Sequence, residues 1–378
     1  MPAPLAGVKV VEVGQAVAGP LAGVILADLG AEVIKVEKPE GGDDARLWGP
    51  PFIGDTGLSF HAYNRGKRGV TLDLKSAADV AQLKALAKDA DILIQNLRPG
   101  VVDELGIGPQ DMLAANPRLI YCSIWAFGYT GPLRLAPGFD PLLQAYGAML
   151  SLTGGPDEPP TFAGAAINDK ATGMWCVIGA LAALRQRDST GQGCVVDTSL
   201  FESAVAWAET PLNAYLATGR VPARHGTGSA NLVPYQTFAA ADRPLCIAAG
   251  NQRLWVKLAR AMGHPEWAED PRFRTGRDRT ANRAALLAAM VPVVRQQPRD
   301  HWMQVLTAAG VPCAPVNDIA ELAATPQLAA VDLLRQVPGS DLRVVGLPIS
   351  FNGQRPHPRA AAPTLGQDNA ALLREGKD

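Results

Sequence analysis

The sequence predicts an α/β fold, with one large domain built on a parallel sheet and a smaller α+β domain. In the first half of the chain, short β-branched runs alternate with apolar helical segments, which is typical of a parallel sheet with helices on its faces. A stretch rich in Gly, Pro and Ser at 219–234 separates this half from a region of different pattern. The 378 residues, 47% apolar and 19% charged, suit a packed globular protein of two domains.

Hydrophobic periodicity and turn residues predict the elements of the first half, and right-handed crossovers are expected to join the strands. The predicted strands are 8–13, 32–37, 70–74, 92–95 and 119–123. The predicted helices are 20–29, 76–88, 109–115, 170–187 and 199–218, the last with Asp197 and Ser199 as candidate caps.

The second half is predicted as a smaller α+β domain at 225–330, after a linker or exposed loop at 219–234. The tail at 331–378 predicts a strand pair followed by Pro-rich coil. The predicted strands of these two parts are 245–249, 334–337 and 343–345, and the predicted helices are 252–262, 280–295 and 299–309.

Charge and cysteine content exclude several classes of protein. A formal charge of -1 provides no field of one sign for nucleic acid or for an anionic membrane, although local basic clusters still suit a small polyanion. The first residues lack the pattern of a secretory signal, and the most apolar stretch, 175–184, has about half the length that spans a bilayer. Five scattered cysteines predict reduced thiols in the cytoplasm, with neither a disulfide framework nor a metal site.

The first strand, turn and helix form a unit in which a dinucleotide could bind. Glu37 ends the second strand, where a dinucleotide-binding domain places an acidic residue. The turn from Gly14 to Gly19 lacks G-x-G-x-x-G, however, so an NAD-dependent oxidoreductase is disfavoured, and a turn that binds nothing is the common alternative. Ligands of such sheets lie outside the carboxyl ends of the strands, where Gln15 and Ala16 are expected.

Basic and amide side chains cluster near the predicted strand ends. Each one is either a solvated surface residue or part of a positive rim for nucleotide phosphates. Trp48 is either an aromatic residue that stacks on a base or covers the site, or a loop residue that packs against the core. The candidates for the rim are Lys38, Lys67, Arg68, Lys75, Asn96 and Arg98.

Asn168 and Asp169 directly precede a strongly apolar helix. An Asp or Asn at this place either caps the helix or, as a carboxylate at the mouth of a cleft, attacks a substrate. The pattern does not choose between these alternatives. Other nucleophile arrangements are absent, since the sequence has no G-x-S-x-G elbow, no Cys–His pairing and no P-loop.

Several segments, in one order, resemble class III (CaiB/BaiF) CoA-transferases, a family that includes formyl-CoA:oxalate and succinyl-CoA-dependent dicarboxylate CoA-transferases. The likeness spans nearly the whole chain. It is carried by LAGVKVVEVGQAVAGPLAGVILADLGAEVIKVEKPEGGDDARLWGPPF, NRGKRGVTLDLK, QNLRPGVVDELG, AFGYTGPLRLAPGFD, INDKATG and RHGTGSANLVPYQTF.

The resemblance implies a large Rossmann-like domain built from 1–220 and 331–378, with the small domain 225–330 inserted, and a homodimer of interlocked rings. It implies that CoA thioesters and small carboxylic acids are substrates, and that no cofactor is tightly bound. Asp169 is implied as the catalytic aspartate. The implied CoA contacts are Gln15, Ala16, Lys38, Leu72, Lys75, Asn96 and Arg98, and the implied substrate or lid residues are Trp48, Phe139, Gly250 and Asn251.

Departures from the family pattern refine these expectations. Racemases of the same fold carry a His where this chain has Phe139, and a phenyl ring cannot transfer protons, so an α-methylacyl-CoA racemase is disfavoured. Glu104 replaces a CoA-binding Arg of some transferases. The loops most resemble transferases that use succinyl-CoA as donor. Residues that either meet a second carboxylate or serve only their loops are Arg46, His225 and Asn231.

Overall fold

The computed structural model describes residues 3–373, which form strands and helices joined by turns and irregular segments. The strands are β1 (Lys9–Val13), β2 (Glu32–Glu37), β3 (Phe52–Ile53), β4 (Thr56–Gly57), β5 (Arg68–Thr71), β6 (Ile92–Gln95), β7 (Ile120–Trp125), β8 (Cys194–Ser199), β9 (Tyr235–Ala239), β10 (Pro244–Ala248), β11 (Cys313–Pro315), β12 (Leu334–Gln336) and β13 (Arg343–Val345).

The helices cover the sheet faces and much of the second half of the chain. They are α1 (Ala18–Asp28), α2 (Leu58–Asn64), α3 (Ala77–Lys88), α4 (Val101–Glu104), α5 (Pro109–Ala115), α6 (Asp140–Tyr146), α7 (Met149–Leu152), α8 (Ile167–Thr190), α9 (Leu200–Trp207), α10 (Glu209–Thr218), α11 (Gln252–Ala261), α12 (Gly276–Ala281), α13 (Arg283–Val294), α14 (Arg299–Ala308), α15 (Ile319–Ala323), α16 (Pro326–Ala330) and α17 (Asn369–Leu372), with short 3₁₀ turns at Asp44–Leu47 and Pro265–Ala268.

Six parallel strands form the central sheet in the order β5-β2-β1-β6-β7-β8, which confirms the predicted α/β class. The chain moves outward in one direction from β1 to β5 and in the other from β6 to β8. The order therefore reverses between β1 and β6, and in open α/β sheets ligands bind at this point, outside the carboxyl ends of the strands.

Burial on both faces explains why these residues form strands. The four residues of β6, Ile-Leu-Ile-Gln, are all buried, as is typical of a central parallel strand. Ile92 and Ile94 pack in one core cluster with residues of α1 and α8, while Leu93 packs in the other with Leu83 and Met112 of α3 and α5. The sheet is thus the middle layer between two layers of helices.

Several observed strands were not predicted (β3, β4, β8, β9 and β11), and one of them, β8, corrects a predicted cap. β8 covers Cys194–Ser199, so Asp197 lies inside a strand, where its Oδ1 accepts a hydrogen bond from Trp125 Nε1 at 2.8 Å. The prediction of Asp197 as a helix cap was therefore wrong. Ser199 does cap α9, because its Oγ accepts a hydrogen bond from the backbone N–H of Glu202 at 3.1 Å.

The chain divides into two compact units. The first runs through Met149, from 163 to 212 and from Gln327 onward, and the second comprises 150–162 and 213–326. Inclusion of 150–162 in the second unit has a local cause, since Arg224 donates hydrogen bonds to the carbonyls of Gly155 and Glu158 at 3.0 and 2.5 Å. The 219–234 segment thus belongs to the second unit.

The second unit has its own antiparallel sheet and its own core. Its strands are ordered β11-β10-β9, and buried side chains of α11, α13 and α14, such as Trp255, Met290 and Trp302, fill its interior. Within residues 3–373, no helix combines the length and the apolar character that crossing a bilayer requires.

Candidate active site

The turn after β1 lies where the strand order of the sheet reverses. Gln15 is exposed there, and its backbone N–H and carbonyl bond to the side-chain amide of Asn96, which follows β6, at 2.9 and 2.8 Å. Ala16 has a φ of 66°, in the left-handed region that a residue with a Cβ rarely adopts. The predicted position of Gln15 and Ala16 at the strand ends therefore corresponds to a strained turn.

A buried network of charged side chains holds this turn in place from the interior of the protein. Lys35 Nζ donates to the carbonyl of Gly14 at 2.8 Å and pairs with Asp43 at 2.9 Å and Glu12 at 3.2 Å. Burial alone would lower the pKa of Lys35, but the carboxylates of Glu12 and Asp43 outweigh burial and raise it. Asp43 in turn accepts the backbone N–H of Ala16 at 3.0 Å. Buried ions need such pairing, and this network spans the ends of β1 and β2.

Two of the predicted rim residues, Lys67 and Arg68, do not lie at the carboxyl edge of the sheet. Lys67 is buried, with Nζ 2.6 Å from Glu12 and 2.9 Å from the carbonyl of Pro20, and burial lowers its pKa to about 8. Arg68 begins β5 and pairs with Glu32, the first residue of β2, so it lies at the amino edge of the sheet. Both follow a glycine-containing turn that brings them to the start of the strand, and their assignment to the rim was wrong.

The other predicted basic and amide positions lie at the carboxyl edge. Lys75 and Arg98 are exposed, and the exposed Lys38 pairs with Asp44 at 2.8 Å. Leu72 is only 2% exposed and belongs to the hydrophobic core, and its predicted CoA contact stays a prediction. Nucleotide phosphates would meet three cations here.

Glu37 and Arg46 form an ion pair with each other. Arg46 donates two bonds of 2.8 Å to the Glu37 carboxylate and stacks 3.8 Å from the centroid of the Phe60 ring. Glu37 also accepts the backbone N–H of Asp43 at 2.8 Å. Glu37 is therefore not free for a ribose hydroxyl, which argues against a dinucleotide, and Arg46 is not free for a substrate carboxylate.

Asp169 lies in the first turn of α8, but neither it nor Asn168 caps that helix through its side chain. Asp140, at the start of α6, has this role. Its Oδ2 accepts the backbone N–H groups of Asn168 and Asp169 at 2.7 and 3.1 Å, and its Oδ1 accepts a bond from Gln144 at 2.5 Å. The capping alternative for Asn168 and Asp169 was thus wrong, and the Asp169 carboxylate is left without that structural duty.

The electrostatic setting of Asp169 favours a protonated carboxyl group. Burial is the larger cause and the nearby Asp140 carboxylate the smaller one, and together they raise its pKa to about 7. No residue of 3–373 lowers it through an ion pair or a hydrogen bond. Tyr63 of α2 lies close enough that the charge of Asp169 adds to burial in raising the pKa of its phenol. A carboxyl group with a pKa near neutrality is typical of a reactive site.

Helix packing brings Asp169 to the first turn of α1. A Cβ atom on Gly173 would lie 2.8 Å from the Ala18 carbonyl and 3.3 Å from Cβ of Leu21, so glycine permits close approach of α8 and α1. Asp169 precedes Gly173 by four residues on the same helix face. Among residues 3–373, no side chain caps α1, so the backbone N–H groups of its first turn are candidate donors near Asp169.

Trp48 and Phe139 are both exposed aromatic residues of the first unit. Trp48 is 39% exposed and follows the 3₁₀ turn Asp44–Leu47, and Phe139 is 62% exposed and directly precedes Asp140. Such rings, half in water, remain candidates for substrate contact.

The remaining predicted residues lie in the second unit. Asn251 caps α11, since its Oδ1 accepts the N–H of Leu254 at 3.0 Å, and the preceding Gly250 lies beside Tyr235. His225 is close to Arg283, and its pKa is lowered by burial and by that guanidinium. Asn231 contributes a carbonyl to Thr280 at 3.4 Å. Their predicted roles as lid or carboxylate contacts stay predictions.

Sequence reasoning missed Asp140 as the cap of α8, Tyr63 as a neighbour of Asp169, and Lys35 and Asp43 as supports of the turn. The signal available for Asp140 was a Pro at the next position, which marks a helix start. The other contacts join residues far apart in sequence, and no local pattern announces them.

The raised pKa of Asp169 predicts a pH-dependent cost in stability. A protein becomes less stable as pH rises when one of its acids has a higher pKa in the folded state than in the unfolded state. For Asp169 this loss falls between its unfolded pKa, about 4, and its folded pKa, about 7. The side chain of Asp169→Asn carries no charge. The free energy of unfolding of this variant should therefore rise, relative to that of the wild type, by about 2 kcal/mol between pH 5 and pH 8. Urea denaturation at both pH values measures this, and a stability difference that does not change with pH would contradict it.

Comparisons with known proteins show the family to which the chain belongs. The family model of CoA-transferase family III matches residues 5–369. An acetyl-CoA:oxalate CoA-transferase of Acetobacter aceti is 40% identical, with 98% of this chain and 95% of that protein covered. A succinate–glutarate CoA-transferase of Agrobacterium fabrum is 34% identical over the same shares of the two chains.

A solved structure gives the same result for the fold. A CAIB/BAIF family protein from Brucella suis superposes with a TM-score of 0.88 at 39% identity, with 98% of this chain and 99% of that chain covered. The predicted resemblance and the predicted fold are thereby confirmed. The protein belongs to CoA-transferase family III and is a class III CoA-transferase.

Proposed function

We propose that this enzyme moves CoA from a short or dicarboxylic acyl-CoA to an acceptor carboxylate, with Asp169 as the nucleophile. The observation that carries the proposal is the Asp169 carboxyl group itself. It lies on the first turn of α8, is only partly buried, has no cation or cap to serve, and borders the uncapped start of α1. A group placed in this way is free to attack a carbonyl carbon.

In the first half-reaction, an oxygen of the Asp169 carboxylate attacks the thioester carbonyl carbon. The carbon–sulfur bond then breaks, sulfur keeps the electron pair, and the products are a mixed anhydride and the CoA thiolate, a good leaving group. The thiolate attacks the Asp169 carbonyl carbon and releases the donor acid as a carboxylate, which leaves an aspartyl-CoA thioester. Alternatively, the acceptor acid exchanges into the anhydride directly.

In the second half-reaction, the acceptor carboxylate attacks the aspartyl thioester and expels the CoA thiolate. The thiolate then attacks the acceptor carbonyl of the new anhydride, which forms the product acyl-CoA and regenerates the Asp169 carboxylate. Each anhydride is sensitive to water, so the site must exclude solvent, and the lid role of Gly250 and Asn251 is part of this proposal.

The oxyanions of these steps need donors, and the start of α8 does not provide them. The N–H groups of Asn168 and Asp169 bond to Asp140, and that of Lys170 bonds to the carbonyl of Ala166 at 3.0 Å. The uncapped first turn of α1, at Ala18 and Gly19, is the better candidate.

A nucleophile with a pKa of about 7 is not fully ionised at neutral pH, contrary to the expectation for an ordinary aspartate. Because only the carboxylate attacks, kcat/KM should rise about tenfold per pH unit below pH 7 and level off above it. Initial rates with one acyl-CoA donor between pH 5 and pH 9 measure this profile. A midpoint near pH 4 would show that Asp169 titrates as an ordinary surface acid.

Donor and acceptor can be narrowed by chemistry. The relatives described above act on oxalate or on succinate and glutarate, which are all dicarboxylic acids. We therefore infer a dicarboxylic acid on at least one side of the reaction and name succinyl-CoA as the first donor to test, with acetyl-CoA beside it. Chromatography of CoA esters, after each donor is incubated with oxalate, succinate or glutarate, tests the proposal. Failure of every pair to exchange CoA would refute it.

We also propose that the protein acts as a homodimer. Apolar side chains on α6 and α8 are about half exposed, which is more than an isolated surface normally leaves uncovered. These side chains are Leu142, Tyr146, Met174, Trp175 and Ile178. Light scattering after size-exclusion chromatography tests the assembly, and a monomer at micromolar concentration would refute it.

A further inference from the structure

The turn at Gln15 is held by side chains at every polar backbone atom that flanks it. Lys35 donates to the carbonyl of Gly14 at 2.8 Å, and Asp43 accepts the N–H of Ala16 at 3.0 Å. Asn96 completes the set, because it bonds both the N–H and the carbonyl of Gln15 at 2.9 and 2.8 Å. These side chains come from β2, from the segment after it and from the end of β6, so three parts of the chain fix two peptide groups.

The conformation they fix is a strained one. Ala16 has a φ of 66°, where its Cβ crowds the backbone, and a residue of this kind persists only when its surroundings over-determine it. The fixed turn leaves the Gln15 side chain exposed at the point where ligands of this sheet type bind, and it leads directly into the start of α1, which no side chain of residues 3–373 caps.

We propose that Asn96, Lys35 and Asp43 are positioning residues that hold the Gln15–Ala16 turn in its binding-competent conformation for acyl-CoA, a proposal that rests on the proposed function. This changes the role of Asn96. The family resemblance implied that it contacts CoA directly, but its Oδ1 and one N–H of its amide are already used on Gln15. Asn96 therefore acts on CoA through the turn.

The positioning role predicts a change in KM and not in kcat. If the turn is competent only a fraction of the time, the apparent affinity for acyl-CoA falls by that fraction, whereas the steps after binding are unaffected. The hydrogen bonds from Asn96, Lys35 and Asp43 to the turn are called the clamp. Weakening the clamp should raise KM and leave kcat nearly unchanged. Glycine adopts positive φ without strain, so Ala16→Gly should make the clamp less necessary.

The test is made at Asn96, because removing Lys35 would leave Glu12 and Asp43 buried without their counterion and endanger folding. Asn96→Ala should raise KM for acyl-CoA about tenfold, with kcat within about threefold of the wild type. In an Ala16→Gly background, Asn96→Ala should raise KM by less than about threefold relative to that background, because glycine needs less support at positive φ. A residue that touched CoA directly would not be rescued by a change at Ala16.

Asn116→Ala is the matched control. Asn116 also bonds backbone groups through both ends of its amide, donating to the carbonyls of Ala87 and Ala90 and accepting the N–H of Arg118. These groups lie at the amino edge of the sheet, before β7, and outside the turn at Gln15. The same loss of amide bonds there should leave KM unchanged, which separates positioning from general destabilisation.

A second readout does not depend on activity. Hydrogen exchange at the amides of Gln15 and Ala16 should be faster in Asn96→Ala than in the wild type, and unchanged in Asn116→Ala. An unchanged KM in Asn96→Ala, or no rescue by Ala16→Gly, would overturn the proposal. If the wild type converts no acyl-CoA, the proposed function fails, and the positioning role is then tested by hydrogen exchange alone. Equal exchange rates at Gln15 and Ala16 in the wild type and in Asn96→Ala would overturn that role.

Discussion

Asp169→Ala is expected to abolish CoA transfer, with turnover reduced at least about 10⁴-fold, as when other covalent enzymes lose their nucleophile. Binding of CoA should survive, because the turn at Gln15 and the exposed cations at the strand ends are untouched. Folding should also survive, since α8 is capped by Asp140 and not by Asp169. Turnover and CoA binding, measured by ester chromatography and calorimetry, test both parts.

Controls for this prediction use the chain's other carboxylates. Asp55→Asn, at an exposed turn between β3 and β4, should keep wild-type turnover. Hydroxylamine added during turnover should trap the activated acyl group at Asp169 as a hydroxamate, located by mass spectrometry of the peptide. Wild-type rates in Asp169→Ala, or an adduct on another side chain, would refute the assignment of the nucleophile.

Asp140→Ala is expected to lower kcat about 10²-fold. Two N–H groups in the first turn of α8 lose their acceptor, and Asp169, which lies in that turn, loses its fixed position. Small misplacements of a reacting group have effects of this size. Steady-state kinetics test the loss, and circular dichroism verifies that the fold is intact, since a helix cap contributes only about 1 kcal/mol.

Asp140→Asn separates the two effects of Asp140. An amide can still accept one backbone bond, but it carries no charge, so the pKa of Asp169 should fall and the midpoint of the pH–rate profile should move to lower pH. A profile that keeps the wild-type midpoint would mean that Asp140 acts by geometry alone. Activity equal to wild type in Asp140→Ala would remove Asp140 from the site altogether.

The fold class could be predicted because the strands are buried on both faces. Glu32–Glu37 carries three β-branched residues, Ile92–Gln95 is apolar up to its last residue, and the observed bounds of both strands equal the predicted ones. β8 was missed because only one of its residues is fully buried, so the run carries a weaker signal. α2 was also missed, since seven residues are too few for helical periodicity to show.

The candidate site could be predicted as a set of residue types and not as an arrangement. The pattern around Asp169 indicated a helix start and left cap and nucleophile open, because both need the same residue at the same place. Tertiary structure removed the cap alternative by bringing Asp140 from another helix to bond the N–H groups, and the nucleophile role is what we propose. The same holds for Lys67, which resembles a surface lysine in sequence and pairs with Glu12 in the interior.

By itself, the sequence determined the α/β class and the family, and it indicated Asp169 as the candidate reactive group, since each depends on local pattern or on long matching segments. Only the tertiary structure decided which carboxylate caps α8, which lysines are buried, and why the pKa of Asp169 is near 7. Those properties depend on desolvation and on charges a few ångströms away, and residues such as Glu12, Asp140 and Asn96 come close to their partners only when the chain folds.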